Sequence, residues 1–319
     1  MNATSRKVVI VGAGAVGATF AYALSQSSVS QHIALLDANR ELAEGQVLDL
    51  AHGLPFVSPV KITVADITDY RDANVIVITA GAKQKPDESR LALLQRNTSI
   101  IESIMDDICA QESNAIVVVV SNPVDILTEV AQLRAGWPRG RIFGSGTVLD
   151  SARFRYLLSQ HCGVDVRNVH AYILGEHGDS EFAAWSMTHV AGMPIDKFCP
   201  VCGACEDWAA EREAIVGKVR NSAYHIIGYK GSTYFAVGLA LVRIVGAIMR
   251  DEHSVLTVST PLMGEYGIEG VCLSVPCIVT ANGAERIVSA TLTDLEMGQL
   301  RESAAVLRKT LDNLHNPDG

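Results

Sequence analysis

The sequence lacks the features that direct a protein to nucleic acid, to a membrane or out of the cell. With a net charge of −9 and an isoelectric point near 5.5, it has no overall basic character for nucleic acid or anionic lipid. No uninterrupted apolar stretch is long enough to span a bilayer, and the opening MNATSRKVVIVGAGAVG does not have the pattern of a secretion signal. The seven cysteines are odd in number and mostly dispersed, which favours reduced thiols. These absences predict a cytoplasmic globular protein.

Short runs of β-branched and aliphatic residues alternate with amphipathic stretches in the first half of the chain. Between the apolar runs, AVGATFAYALSQ and RELAEGQVLDLAHG have helical spacing. Such alternation is typical of an α/β fold in which helices cover both faces of a parallel sheet. The runs that we predict as buried strands are KVVIVG, HIALLD, VKITVA, ANVIVITAG, AIVVVVSNP and RIFGSG.

The pattern changes after about residue 150. Longer helical stretches appear, EDWAAEREAIVGKVRNSAYHIIGY and TYFAVGLALVRIVGAIMRDE, followed by the strand candidates SVLTVSTPL and GVCLSVPCIVT and a polar closing helix. No internal repeat or low-complexity tract interrupts the chain. We therefore expect two packed domains that share a cleft, the first over 1–147 and the second, of α+β type, over 148–319.

A glycine-rich turn follows the first predicted strand. VVIVGAGAVGATF has G-x-G-x-x-G spacing, with Gly12, Gly14 and Gly17 between a strand and a helix. These glycines permit a tight turn, close approach of the backbone to a pyrophosphate and close packing of the helix. The amide groups at the helix N-terminus, at Ala15 and Val16, would then face the phosphate charge. The alternative is a glycine turn that serves packing alone.

An acidic residue at the end of the second strand favours the dinucleotide interpretation. Asp37 ends HIALLD, twenty residues beyond Gly17, where a carboxylate can accept hydrogen bonds from both ribose hydroxyls. The same carboxylate would repel a 2′-phosphate, so NAD is favoured over NADP, although Arg40 lies nearby. The first domain is therefore predicted to be a Rossmann doubly wound parallel sheet that binds NAD.

Two further motifs carry residues suited to acid–base chemistry. HAYILGEHGDSE places His177 in a polar turn after an apolar strand, and GTVLDSARFRYLL places Asp150 and Arg153 three residues apart on a predicted helix. An aspartate bonded to one ring nitrogen favours imidazolium and leaves the other nitrogen to exchange a proton with a substrate. A guanidinium beside it can hold a carboxylate through two hydrogen bonds. The alternatives are a structural histidine and a surface ion pair.

Six segments, spread in order over nearly the whole chain, resemble the L-lactate/malate dehydrogenase family, above all its bacterial L-lactate dehydrogenases. The resemblance implies NAD-linked interconversion of a 2-oxo acid, such as pyruvate, and an L-2-hydroxy acid, such as lactate. It implies that His177 is the acid/base, that Asp150 orients it, and that Arg153 binds the substrate carboxylate. The segments are VGAGAVG, AGAKQKPDESRLALLQRN, VVSNPVDILT, GSGTVLDSARFRYLL, LGEHGDSE and YGIEGVCLSVPCIV.

The resemblance also implies roles for three residues outside these two motifs. Arg90 would lie on a mobile loop that closes over the substrate and polarises its carbonyl group. Asn122, in SNP, would contact the substrate and the nicotinamide, and Thr233, in KGSTYFAVG, would line the pocket. The alternatives are an Asn-Pro turn for Asn122 and a helix N-cap for Thr233.

A neutral residue among cations bears on substrate choice. Gln84 lies between Lys83 and Lys85, and the resemblance implies that it faces the end of the substrate that differs between lactate and malate. The second carboxylate of oxaloacetate would need a cation there, because burying it unpaired costs several kcal/mol. Gln84 therefore favours pyruvate over oxaloacetate, and malate dehydrogenase or a broad 2-oxo acid reductase is the alternative. Asp87 departs from the glycine usual in the family.

Regulation and assembly are also implied by the resemblance. Arg155 and His170 match positions that bind the phosphates of fructose 1,6-bisphosphate between subunits in many bacterial members of the family. A cation and a histidine are chemically suited to a phosphate, although members that ignore this effector can carry the same residue types. The resemblance further implies a homotetramer.

A cysteine cluster offers an interpretation of another class. FCPVCGACEDW spaces Cys199, Cys202 and Cys205 as C-x2-C twice, which is compatible with zinc, but no fourth ligand lies close in sequence unless the fold brings His189 near. We expect no metal here. The rival to an enzyme is a non-catalytic NAD-binding or thiol-sensing protein, which would not need Arg90, Asp150, Arg153 and His177 together.

Overall fold

The computed structural model describes residues 6–82, 88–203 and 207–315. The strands are Lys7–Val11 (β1), His32–Leu36 (β2), Lys61–Val64 (β3), Val75–Ile78 (β4), Ile116–Val119 (β5), Ile142–Gly144 (β6), Val169–His170 (β7), Ile173–Leu174 (β8), Phe182–Ala183 (β9), His189–Val190 (β10), Met193–Pro194 (β11), Ser254–Met263 (β12), Glu269–Thr280 (β13) and Gly283–Ile287 (β14). The helices are Ala15–Gln26 (α1), Arg40–His52 (α2), Arg90–Ala110 (α3), Val124–Ala135 (α4), Val148–Cys162 (α5), Ile195–Cys202 (α6), Trp208–Lys230 (α7), Phe235–Met249 (α8) and Asp294–His315 (α9).

Strands of the first half form a parallel sheet in the order β3-β2-β1-β4-β5-β6. Strands β1, β4 and β5 are buried along their whole length, as their uninterrupted Val and Ile content predicts for strands covered on both faces. The order is that of the Rossmann fold, and the predicted fold class is confirmed. Ligands of such sheets bind beyond the carboxyl ends of the strands, which places the functional site there.

The sheet does not stop at the end of the first half. Strands β12, β13 and β14 add to it in antiparallel fashion, and Ser259 of β12 pairs with Gly144 of β6. A Cβ at Gly144 would lie 2.5 Å from Thr128 Oγ1, so glycine at this position allows β6 to lie close to α4. The sequence predicted β12 and β13 but not their junction with the parallel sheet, because pairing between residues more than a hundred positions apart leaves no local pattern.

A second core lies between α5, α6, α7 and the short strands of the second half, whereas α8 and α9 pack on the core of the large sheet. Phe154 and Leu158 of α5 pack with Ile173 of β8 and with Ile215 and Val219 of α7, and all five are buried. Helix α5 starts three residues after β6, so its first turn lies at the carboxyl edge of the parallel strands. In the part of the chain that the structure describes, no helix is both long and apolar enough to cross a membrane.

Candidate active site

The three glycines of the predicted turn meet three different requirements. Gly12 has φ +107°, and a Cβ on it would lie 2.7 Å from the Ala80 nitrogen. A Cβ on Gly17 would lie 1.9 Å from the Gly12 oxygen, so this glycine allows α1 to pack against the turn. Above Gly14, in contrast, no described atom lies within 4 Å of the Cβ position. Gly14 thus presents open backbone at the start of α1, which begins at Ala15 without a side-chain cap.

Asp37 is fixed beside this turn at the end of β2. Its two oxygens accept hydrogen bonds from the backbone N–H groups of Ala13, at 2.7 Å, and Asn39, at 2.8 Å. The side chain remains partly exposed. Arg40 is engaged elsewhere, since its Nε donates to Glu44 at 2.9 Å. An open glycine turn, an uncapped helix N-terminus and a fixed carboxylate fit NAD, as predicted from the spacing.

His177, Asp150 and Arg153 form one connected group. His177 Nδ1 lies 2.6 Å from Asp150 Oδ2, and Arg153 Nη1 donates to Asp150 Oδ1 at 2.7 Å. The Asp150 side chain is 3% exposed and that of Arg153 14%. The structure brings these three residues together, and the alternative of a surface ion pair is wrong because both partners are largely removed from water.

The charges of this group support one another. Burial by itself would lower the pKa of His177, but the charge of Asp150 and its hydrogen bond outweigh burial and raise that pKa to about 9. Burial would raise the pKa of Asp150, but His177 and Arg153 lower it below its ordinary value. The pair is therefore imidazolium and carboxylate at neutral pH, and Nε2 of His177 is left to exchange a proton.

Asp125 supports His177 from a second side, and the sequence analysis missed it. Its Oδ2 accepts the backbone N–H of His177 at 2.8 Å, and its Oδ1 accepts the Ser259 hydroxyl at 2.5 Å. Burial raises the pKa of Asp125 to about 6, although both hydrogen bonds favour the charged form. The sequence signal was an acidic residue among apolar neighbours in the VDIL portion of VVSNPVDILT. A buried carboxylate there needs a partner, because burying an unpaired charge is costly.

We expect Asp125→Ala to lower the free energy of unfolding by about 1–3 kcal/mol, because it leaves the His177 N–H and the Ser259 hydroxyl buried without this acceptor. Urea unfolding monitored by circular dichroism measures the loss. Asp125→Asn is the matched control, since its amide oxygen can accept the N–H while its NH2 donates to Ser259. Equal stability of Asp125→Ala and the wild type would show that these bonds do not contribute.

Comparison with known proteins identifies the family. The model of the lactate/malate dehydrogenase NAD binding domain matches residues 6–144, and that of the alpha/beta C-terminal domain matches residues 147–316. An L-lactate dehydrogenase of Treponema denticola is 56% identical over 317 residues, which cover 99% of this chain and 100% of the relative. The chain belongs to the lactate/malate dehydrogenase family.

Other members of the lactate/malate dehydrogenase family agree in sequence and in structure. An L-lactate dehydrogenase of a Thermoanaerobacter species is 52% identical and covers 97% of this chain and 99% of its own. A lactate dehydrogenase from a Medee basin deep-sea metagenome superposes with a TM-score of 0.95 at 42% identity, over 98% of this chain and 99% of its own. The ligand-bound minor L-lactate dehydrogenase of Enterococcus mundtii superposes with a TM-score of 0.94 at 42% identity, over 97% and 98%.

Not all residues that the family resemblance brought forward converge in this structure. Arg90 is the first residue of α3, is exposed, and makes no hydrogen bond or ion pair with His177, Asp150 or Arg153. It lies near enough to Tyr224 to oppose the rise in the pKa of the phenol caused by Asp179. Arg90 thus lies within electrostatic range of Tyr224 of α7 without contacting the catalytic group.

Asn122 and Thr233 lie at the starts of helices. Asn122 is exposed between β5 and α4, and its backbone oxygen accepts a 3.4 Å hydrogen bond from Asn97 Nδ2. Thr233 is partly exposed, and the N-cap position of α8 belongs to Tyr234. The alternative of Thr233 as the N-cap is therefore wrong, and its hydroxyl is not committed to capping α8. Gln84 lies outside the described residues.

Arg155 and His170 line a common cavity of about 480 Å³ between α5, α8 and β12. Arg155 Nε donates to the Val169 oxygen at 2.8 Å, which ties α5 to β7. His170 is exposed, and Arg243 of α8 lines the same cavity. The predicted pair is thus brought together, in a cavity that the Arg243 side chain also lines.

The cysteine cluster is only partly described. Cys199 is buried in α6, and its Sγ lies 3.6 Å from His161 Nε2. His189 Nδ1 lies 3.2 Å from the Met187 oxygen. The side chain of Cys202 and the whole of Cys205 fall outside the described residues. The histidine that contacts Cys199 is thus His161, which the sequence analysis did not single out.

Proposed function

We propose that this chain is an NAD-dependent L-lactate dehydrogenase that interconverts pyruvate and (S)-lactate. The observation that carries the proposal is the connected group of His177, Asp150 and Arg153, built on a buried carboxylate, in a chain with an open glycine turn for a dinucleotide. An imidazolium and a guanidinium held by one carboxylate suit a substrate with a carbonyl group next to a carboxylate. The relatives that are 56% and 52% identical are named L-lactate dehydrogenases, which supports the same reaction.

Each residue has one task in the proposed reaction. Arg153 binds the substrate carboxylate, and His177, held by Asp150, gives its proton to the carbonyl oxygen as negative charge develops there. Bound NADH supplies a hydride to the carbonyl carbon. Arg90 polarises the same carbonyl once its loop excludes water. In lactate oxidation, neutral His177 takes the hydroxyl proton.

Three residue sets are proposed to form the rest of the site. Asn122 and Thr233 line the pocket around the substrate and the nicotinamide. The turn residues Gly12, Gly14, Ala15, Val16 and Gly17 hold the pyrophosphate through backbone N–H groups. Asp37 binds the ribose hydroxyls.

Steady-state NADH oxidation across a series of 2-oxo acids tests the function. A clear preference for pyruvate supports it, whereas a clear preference for oxaloacetate would make the protein a malate dehydrogenase. Binding of NADH without turnover of any 2-oxo acid would instead favour the alternative of a non-catalytic NAD-binding protein.

We expect Gln84→Arg to shift the ratio of kcat/KM for oxaloacetate over pyruvate upward by about 10²-fold. An arginine supplies the partner that the second carboxylate of oxaloacetate needs, and about 3 kcal/mol of avoided charge burial corresponds to that factor. Assays with both substrates measure the ratio. Gln95→Arg is the matched control, because it adds the same charge at an exposed position of α3. No shift with Gln84→Arg would remove Gln84 from the substrate site.

We further propose that fructose 1,6-bisphosphate binds at Arg155 and His170 and that the enzyme is a homotetramer. The cavity that these two residues share with Arg243 is lined by cations suited to phosphate groups. Exposed apolar side chains, Leu48 at 59% on α2 and Leu239 at 66% on α8, support burial against further copies. Assays with and without the effector, and light scattering, test these two proposals. We place the domain boundary at 147/148, where α5 begins.

A further inference from the structure

Glu181 is a buried carboxylic acid in direct proximity to the catalytic pair. It ends the turn between His177 and β9 and is 4% exposed. A carboxylate oxygen of Glu181, one of Asp150 and a ring nitrogen of His177 all lie within 4.8 Å of one another. Neither the glycine turn nor the task of any proposed catalytic residue explains an acidic group at this place.

Hydrogen bonding does not hold the charge of the Glu181 carboxylate. Among the described residues, no side chain or backbone N–H donates to it. Arg220 of α7 donates instead to the Glu181 backbone oxygen, at 3.1 and 2.7 Å. Both oxygens of Asp150 are already bound, to His177 and Arg153, so a proton rather than a metal ion is the cation that suits Glu181.

Charged groups act on Glu181 from α5, from α7 and from its own turn. Asp150 and Arg153 approach from α5, Arg220 from α7, and His177 from its own turn. Burial, followed by the charge of Asp150, raises the pKa of Glu181 to about 8, against the three cations. Asp125, from α4, acts on the other side of His177, where its oxygens are bonded to the His177 N–H and to Ser259.

We propose that Glu181 is a positioning residue that must be protonated for the substrate carboxylate to bind at Arg153, so that substrate binding is linked to a second proton besides that on His177. The proposal rests on the function proposed above and adds the way in which its site depends on pH. Glu181 acts through the charge balance around Arg153 and His177 and takes no part in bond breaking.

The balance of charge around the buried Glu181 carboxylate links its protonation to substrate binding. With Glu181 neutral, the cations of His177 and Arg153 face two carboxylates, that of Asp150 and that of the substrate. With Glu181 ionised, a third carboxylate is present, and the cations around the three are His177, Arg153 and Arg220, of which Arg220 already donates to the Glu181 backbone oxygen. A like charge nearby disfavours ionisation, so the arriving substrate drives a proton onto Glu181.

Proton uptake on binding of a pyruvate analogue tests the proposal. Oxamate, an amide analogue that is not reduced, is titrated into the enzyme–NADH complex by calorimetry in two buffers of different ionisation enthalpy, from pH 7.5 to 9.5. For the wild type, we expect uptake that rises towards two protons per site as both Glu181 and His177 lose theirs in the free complex. For Glu181→Gln, we expect at most one.

A matched control separates this role from a structural one. Glu296 is also a buried acid of the second half, but its carboxylate is satisfied by Ser186 and Thr293. Glu296→Gln is expected to keep the wild-type proton uptake even where it lowers stability.

Equal proton uptake by Glu181→Gln and the wild type would overturn the proposal. The pH dependence of oxamate affinity in the wild type gives a second measurement that does not depend on a variant. A limiting slope of two in log Kd against pH supports the proposal, and a slope of one overturns it. Turnover of pyruvate by the wild type separates failure of this proposal from failure of the proposed function. If the proton-uptake test fails but the wild type turns over pyruvate, only the role of Glu181 is wrong. If the wild type does not turn over pyruvate, the proposed function is wrong as well.

Discussion

Replacement of His177 by Asn is expected to lower kcat for pyruvate reduction by about 10²–10⁴-fold, the contribution of a positioned general acid. The amide of Asn can still donate to the buried carboxylate of Asp150, so the variant does not leave that charge unpaired. It has no group that exchanges a proton near neutral pH. The substitution leaves the glycine turn and Asp37 unchanged. The Kd for NADH should therefore stay within about twofold of the wild-type value, because substitutions at separate sites act independently.

Stopped-flow turnover and NADH fluorescence titration measure these two effects separately. His189→Asn is the matched control, because this histidine contacts only the Met187 oxygen at 3.2 Å among the hydrogen bonds of the described residues. Turnover of the His177 variant at the wild-type rate would remove His177 from the mechanism. An NADH-binding wild type without turnover would instead favour the non-catalytic rival.

Local spacing was enough to predict the first half of the site. The G-x-G-x-x-G pattern requires glycine for reasons confined to a few residues, and Asp37 follows one helix and one strand later, a distance set by the unit itself. The contact of Asp150 with Arg153 is equally local, because residues three apart lie on one face of a helix. These features could therefore be predicted from the sequence alone.

The support of the catalytic histidine could not be predicted in this way. Asp125 contacts His177 across 52 positions of sequence and Ser259 across 134. Its position depends on the junction of β12 with β6, which no local pattern records. Glu181 could not be predicted for a related reason. It lies in a polar turn of the sequence, and its burial depends on α5 and α7, which are distant in sequence.

Several assignments that came from family resemblance stay predictions. Gln84 lies outside the described residues, and Arg90 stands apart from the catalytic group until its proposed loop closes. Geometry alone does not choose between lactate and malate, because the group of His177, Asp150 and Arg153 recognises the part that their oxo acids share. The residue that distinguishes pyruvate from oxaloacetate must contact the other end of the substrate. The Gln84→Arg assay tests that contact directly.

Removal of the Asp150 charge should shift the pH dependence of the reaction. Asp150 is the chief cause that raises the pKa of His177 to about 9, against the effect of burial. In Asp150→Asn, burial remains and the opposing charge is gone, so His177 loses its proton at lower pH. Pyruvate reduction needs the protonated ring. The part of the fall in kcat/KM that deprotonation of His177 causes, above about pH 9 in the wild type, should therefore move down by about 1–3 pH units.

The raised pKa of His177 also makes the stability of the fold depend on pH. The folded-state pKa of His177 lies above its ordinary value of 6.5, so the ion pair stabilises the fold fully below that pH and less and less as the pH rises to about 9. Asp150→Asn should remove this pH-dependent part, so its loss of stability is larger at pH 6 than at pH 9. Asp165→Asn, at an exposed carboxylate paired with Arg167, is the matched control. A pH–rate profile that keeps its wild-type break in Asp150→Asn would mean that another group sets the protonation of the reacting site.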